Sequence, residues 1–392
     1  MPAASSSAPW LFYVVDWLPP EFGAVGQYGL VFAREMASAG RHVALIGLTS
    51  GRSRSEVERF GSGGVLEITR IAISTYDKAK YASRLLWLLR ANFHLIARVV
   101  RDRRSRGGEI LFTGAPAFML FFAIVAKYIR GARLIYRITD FYPEVIVAEL
   151  GRKPLPLAIF EYVTWAMRRR VDLFQALGED QRKLLIAGGI SSDRIVLKRD
   201  SSPVPMTGSE RPVSPPPALS GHSILLYSGN YSVAHEVDTV IEGLIRHHHN
   251  GRGRFGLWLS ASGKNIASIE QRLHRANIPV TCTQPVPLED LPSLLAAADV
   301  HLITLRNQFS GIVLPSKVYA CIASGRPILF VGPESSDVHL LCRRARSIDY
   351  ERVEPGDSDG FAAAIERLSL QVRIDPHRRT RDNEQTAAAG SI

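Results

Sequence analysis

Apolar and polar positions along this chain follow two alternating rhythms. Leu11–Val15 is an unbroken apolar run of strand length, and a helical repeat from Gln27 to Ala39 follows it, stopped by Gly40 before a second strand at His42–Gly47. Strand, loop, helix, glycine, strand is the grammar of an open parallel sheet. It returns with a strand at Glu109–Thr113, a helix over Pro116–Ile129 and a strand at Arg133–Ile138. A helix over Leu157–Arg169, a strand at Leu173–Leu177 and a helix over Glu179–Ala187 complete this half.

Between Lys198 and Ser223 the pattern lapses. Pro203, Pro205, Pro212, Pro215, Pro216 and Pro217 crowd a stretch that cannot sit inside a sheet or helix. The rhythm then resumes. Strands are expected at Ile224–Ser228, Phe255–Leu259, Val300–Thr304 and Pro327–Val331, with a turn at Gly229-Asn230. Helices are expected over Val237–Arg246, Ile266–Ala276, Leu288–Ala297, Lys317–Ala323 and Asp337–Arg344. The expected fold class is therefore α/β, with two doubly wound Rossmann-like domains (1–198 and 223–370), a proline-rich linker (199–222) and a poorly ordered tail (371–392). Such a pair predicts a cleft between the C-terminal edges of the two sheets.

Composition narrows the partners. The 392 residues are 46% hydrophobic and 22% charged, which excludes wholesale disorder. Lysine and arginine total 48 against 37 acids, so the net charge of +11 favours an anionic partner. Cys282, Cys321 and Cys342 form no C-x-x-C pair, which argues against a zinc ribbon or disulfide framework and suits a reducing cytoplasm. No secretory leader is read at the N-terminus. The apolar run Ala115–Ala126 is shorter than the roughly 20 residues that span a bilayer, and reads as a buried crossover helix.

Three loops of the second half each follow a strand and precede a helix: Tyr227–Ser232, Ser260–Asn265 and Ser310–Lys317. Small residues and backbone N–H donors there can receive a phosphate, and Lys264 and Lys317 add positive charge. The ordinary structural alternative is that the glycines only permit tight turns and the lysines are solvated. No G-x-x-x-x-G-K-[ST] motif occurs, and the first loop carries Gly23-x-x-Gly26 rather than a dinucleotide fingerprint. P-loop and nicotinamide chemistry are thus disfavoured.

Four segments together resemble the GT-B glycosyltransferases of family 4. They are Asp16-Trp17-Leu18-Pro19-Pro20-Glu21-Phe22-Gly23-Ala24, Arg137-Ile138-Thr139-Asp140-Phe141-Tyr142-Pro143-Glu144, Tyr227-Ser228-Gly229-Asn230 with His235, and Pro315-Ser316-Lys317-Val318-Tyr319 followed by Gly325-Arg326-Pro327. The last is similar to a signature of an exopolysaccharide and O-antigen branch. The resemblance implies transfer of a sugar, with retention, from a UDP- or GDP-linked donor to a glycan or polyprenyl-diphosphate-linked acceptor, with no cofactor or metal. It implies that Lys264 neutralises the leaving diphosphate, and that Gly229, Asn230, Ser316, Lys317 and Tyr319 contact the donor. Gly23 and Ala24 would pack against that donor, and Asp140 would bind a sugar or acceptor hydroxyl. The chain departs from the family at Ile312 and Ala320, where many members carry two glutamates. A non-catalytic nucleotide-sugar-binding protein and a nucleotide-sugar epimerase are the alternatives; nothing resembles a nucleic-acid module.

Arg84–Arg106 holds seven arginines beside an apolar stripe of Leu86, Leu89, Phe93, Ile96 and Val100. That pattern reads as a helix with this stripe on the sheet, or lying on anionic lipid as a peripheral attachment at the inner membrane face. His247-His248-His249 reads as a solvated helix end, Cys321 as core, and Arg168-Arg169-Arg170 as cations at a helix C-terminus.

Overall fold

The computed structural model describes residues 9–21, 23–74, 81–250, 255–263 and 266–374. The chain divides into two compact units at Asp200/Ser201. The first runs β1 (Leu11–Trp17), α1 (Ala24–Ser38), β2 (His42–Thr49), β3 (Arg54–Arg59), β4 (Val65–Ala72), α2 (Tyr81–Arg101) and β5 (Glu109–Thr113). It continues through α3 (Met119–Arg130), β6 (Arg133–Ile138), α4 (Glu144–Leu150), α5 (Leu155–Arg168), β7 (Leu173–Ala176), α6 (Glu179–Ala187) and β8 (Ile195–Leu197). Its sheet order is β3-β4-β2-β1-β5-β6-β7-β8, parallel except for the β3–β4 hairpin. Strands β1, β2 and β5 are buried almost throughout, as a sheet covered on both faces requires.

The second unit runs β9 (Ser223–Asn230), α7 (Asp238–Asn250), β10 (Phe255–Ser262), α8 (Ile266–Arg275), β11 (Val280–Thr283) and α9 (Leu291–Ala296). Then come β12 (Val300–Thr304), α10 (Lys317–Ala323), β13 (Ile328–Val331), α11 (Asp337–Arg344), β14 (Tyr350–Val353) and α12 (Ser358–Ile374). Its sheet, β11-β10-β9-β12-β13-β14, is parallel throughout. Both sheets reverse their strand order beside their first strand, at β1/β5 and β9/β12. In doubly wound sheets that switch point, at the carboxyl ends of the strands, is where ligands bind.

Several expectations need correction. The turn expected at Gly229-Asn230 is the end of β9, which stays paired to β10 through Ala261 and Ser262. Gly229 has φ +114°, a conformation that a side chain strains. Residues 201–222 contain no β-strand or α-helix, but they pack on the second unit: Val204 and Leu219 are buried, and the Val213 amide donates to the Ser293 carbonyl. Of the tail, 371–374 extend α12, and 375–392 lie outside the described residues.

Helix α2 is rotated relative to the sequence reading. Trp87, Ala91, Asn92, Leu95, Ile96 and Val99 are buried, whereas Leu86, Leu89 and Phe93 are 68%, 43% and 59% exposed. The helix ends at Arg101; Asp102 then caps a short 3-10 turn by accepting from the Arg104 amide. His247 is buried beside Glu366 and His248 bonds the Phe255 carbonyl, so a fully solvated histidine end is wrong. Cys321 is core, as expected. No helix among the described residues is long and apolar enough to cross a membrane.

Candidate functional site

In the N-terminal unit, strand β5 separates two carboxyls at the switch point. Asp16 lies near the end of β1, level with Gly114 just past β5, and Asp140 lies two residues beyond β6. A Cβ on Gly114 would lie 3.2 Å from both the Asp140 carbonyl oxygen and the Tyr136 hydroxyl, so the glycine keeps this edge open. Burial pushes the Asp140 carboxyl up to about 6. Burial does the same to Asp16, also to about 6, against backbone hydrogen bonds that pull it down and with the Asp140 charge adding to the rise. The Asp16 Oδ1 and Thr139 Oγ1 atoms are buried without a hydrogen-bond partner. Two carboxyls titrating near neutrality, beside unsatisfied polar atoms, are equipped to receive hydroxyl groups.

The surrounding residues fix this edge in place. Gln181 donates to the Thr139 carbonyl (3.0 Å) and accepts from the Leu177 amide (2.9 Å). The Arg137 guanidinium pairs with Asp200 at 2.5 Å and lies over the Phe32 ring. The loop after β1 is tied to the end of β2 because Glu21 accepts from Thr49 (2.7 Å) and from the Ser50 amide (2.6 Å). Gly23 opens α1 with an extended φ of −178°, and Ala24 is the first helical residue. Phe22 lies outside the described residues.

In the C-terminal unit, the segments after β9 and β12 meet at the other switch point. The Lys317 ammonium nitrogen lies 3.1 Å from the Tyr227 ring centroid, buried and without a hydrogen-bond partner. Burial drives this amine well below its ordinary range. A Cβ on Gly229 would stand 3.9 Å from the same nitrogen. His235 Nδ1 contacts the Thr304 carbonyl at 2.8 Å, and burial, with Lys317 adding to it, pushes the imidazole down to about 3. The backbone joins the loops: the Tyr231 amide donates to the Ser262 carbonyl (2.7 Å) and the Arg306 amide to the Ala234 carbonyl (2.8 Å).

The structure thus brings Gly229 and Lys317 together, with Ser316 adjacent in the chain. Asn230 is exposed at the end of β9, and Tyr319 is buried. Lys264 and Asn265 lie outside the described residues. Ala320, at one of the two departures from the family glutamates, packs against Val204 and Leu295. The sequence reading gave no role to Asp16 or to the Tyr227 ring. A carboxylate at the C-terminal end of a buried parallel strand was a usable signal for the first; the second depends on a contact 90 residues distant.

No family model matches the chain. A probable glycosyltransferase of Pseudomonas aeruginosa, WbjE, is 22% identical over 248 residues, which span 61% of this chain and 61% of that protein. WaaG, a glycosyltransferase involved in lipopolysaccharide biosynthesis, superposes with a TM-score of 0.56 at 14% identity, covering 98% of this chain and 95% of its own. Anabaena Alr3699/HepE, solved in complex with UDP and glucose, gives a TM-score of 0.54 at 11% identity over 98% of this chain and 100% of its own. The fold is that of the GT-B enzymes, two Rossmann-like units each built on a parallel sheet.

Proposed function

We propose that the protein is a retaining glycosyltransferase that moves a sugar from a UDP- or GDP-linked donor to a glycan or polyprenyl-diphosphate-linked acceptor in surface polysaccharide synthesis. The observation that carries this reading is the buried, unpartnered amine of Lys317 at the switch point of the C-terminal sheet, a position suited to a diphosphate. WbjE, WaaG and the UDP-and-glucose complex of HepE support the same class. Family-4 membership rests on the four motif segments.

The residues take the following roles. Lys264, Lys317, Ser316 and the backbone at Gly229 and Asn230 hold the donor diphosphate, with Tyr319 behind them. Gly23 and Ala24 border the donor's sugar, and Asp140, with Asp16, binds sugar or acceptor hydroxyls. The bond from the anomeric carbon to the diphosphate breaks, the acceptor oxygen bonds to that carbon, and the acceptor proton leaves with the diphosphate. Stabilising the departing charge is the main demand on the protein, so no strong base is required. The reaction is assigned no cofactor and no metal.

The protein acts at the cytoplasmic membrane face in this reading. Leu85, Leu86, Leu89 and Phe93 are exposed on α2 in the same stretch as Arg84 and Arg90. Apolar residues beside arginines suit an anionic bilayer surface.

Thermal unfolding with UDP, GDP and their sugar conjugates, followed by assays of donor hydrolysis, tests the proposal. Stabilisation with slow hydrolysis supports a transferase. Stabilisation without turnover on any donor or lipid acceptor would instead identify a binding protein, in keeping with the missing glutamates at Ile312 and Ala320.

A further inference from the structure

Among the described residues, no negative charge faces Lys317 to match an ammonium ion. The groups that face it are the Tyr227 ring from β9, His235 from the segment before α7, and Cys321 one turn along α10. Burial raises the Tyr227 phenol well above its ordinary range and the Cys321 thiol to about 12, so both stay protonated and neutral. His235 is held down to about 3 and is neutral as well. A charged lysine there would lose its hydration and gain only the face of one aromatic ring.

The amine nitrogen is buried without a partner in the ligand-free protein, but the Lys317 residue is only partly buried and Gly229 borders its nitrogen with no side chain. An arriving phosphate would supply the missing counter-charge and accept the hydrogen bonds of an ammonium group.

We propose that Lys317 receives the donor's diphosphate together with a proton: the anion and one H⁺ from solvent enter as a unit, a new N–H bond forms on Nζ, and the ammonium so created holds the phosphate. This inference rests on the donor reading above and adds its protonic linkage. Departure of the nucleoside diphosphate after transfer returns the proton to solvent. Binding is then coupled to pH by a group that is absent as a charge from the empty protein.

The test is calorimetric titration of the full chain with UDP and GDP at about pH 8.5, well above the roughly 6 of a terminal phosphate, in buffers of different ionisation enthalpy. Uptake approaching one proton per nucleotide is expected. Lys317→Arg keeps a permanent positive charge, so it should bind with uptake reduced to near zero. Lys317→Met should weaken binding by about tenfold or more, yet raise the melting temperature of the ligand-free protein by removing an unpartnered amine. That opposition keeps the proposal testable should the arginine variant fold poorly. Nucleotide binding without proton uptake, or uptake unchanged in Lys317→Arg, overturns it. Should neither nucleotide bind, the donor reading fails, and the same titration with inorganic pyrophosphate decides this proposal: coupled binding sustains it, and uncoupled or absent binding overturns it.

Discussion

Arg168 in the last turn of α5 and Glu144 at the first residue of α4 form a buried ion pair, 24 residues apart in sequence. The guanidinium also donates to the Tyr142 carbonyl at 2.9 Å and lies against the rings of Phe141 and Trp165. Arg168 therefore grips the Phe141–Glu144 segment that follows Asp140, and the closing glutamate of the Arg137–Glu144 motif acts as an anchor rather than a reacting group. Truncating one partner leaves a charge buried alone, which costs about 3–5 kcal/mol. Arg168→Met is expected to lose stability of that order in urea unfolding, and the Arg168→Met/Glu144→Leu double variant to recover much of it.

The carboxyls of Asp16 and Asp140 bind protons more tightly folded than unfolded. Their penalty is absent below the unfolded value of about 4, grows as pH rises through about 6, and is complete above it. Asp140→Asn removes part of that penalty. It is expected to melt higher than wild type at pH 7.5, with the difference vanishing near pH 4. If the ionised pair binds the acceptor, transfer by wild type rises with pH through about 6 as a joint titration, and the same variant loses transfer. Falling activity with rising stability is the signature to look for in a pH series of melts and initial rates.

The two glycines of the first loop differ in kind. A Cβ on Gly26 would stand 1.7 Å from the Trp17 carbonyl oxygen, a backbone atom that cannot step aside, whereas on Gly23 it would meet only the Trp17 Cβ at 3.9 Å. Gly26→Ala should therefore cost about 1–3 kcal/mol or more. Gly23→Ala should fold within about 0.5 kcal/mol of wild type and, where the loop borders the donor, reduce turnover. Denaturant melts and steady-state kinetics on the two variants separate packing from substrate contact.

Helix α2 offers a similar contrast. Replacing exposed Leu86, Leu89 and Phe93 with glutamine should leave the melting temperature unchanged and abolish flotation with anionic liposomes. Trp87→Ala, on the buried face, should cost about 3–5 kcal/mol and leave flotation intact. Equal flotation of the triple variant and wild type removes α2 from membrane attachment.

Elements with local signals at both ends were legible in the sequence. Helices Glu179–Ala187, Lys317–Ala323 and Asp337–Arg344 and strand Val300–Thr304 match to the residue. Strand β3 was not, because Arg54–Arg59 is an almost fully exposed edge strand without alternating burial. The buried face of α2 was misjudged because its packing side carries Ala91 and Asn92, which weigh little in hydrophobicity. There Asn92 donates to the Leu88 and Ala117 carbonyls, each at 2.8 Å. His247 was assigned to solvent, and Arg168 was read only as a cation at its helix C-terminus, for a related reason: the partners, Glu366 and Glu144, are remote in sequence. At the candidate sites, motifs singled out Asp140, Gly229 and Lys317, and included Tyr227 without revealing that its ring covers the lysine.

Discharge of a panel of UDP- and GDP-sugars, read as free nucleoside diphosphate released by the purified protein, tests the central claim most directly. The account predicts slow release from at least one donor, faster with a polyprenyl-diphosphate-linked acceptor and suppressed in Lys317→Met. A protein that releases nothing from any donor, and whose melting temperature no nucleotide moves, would contradict it.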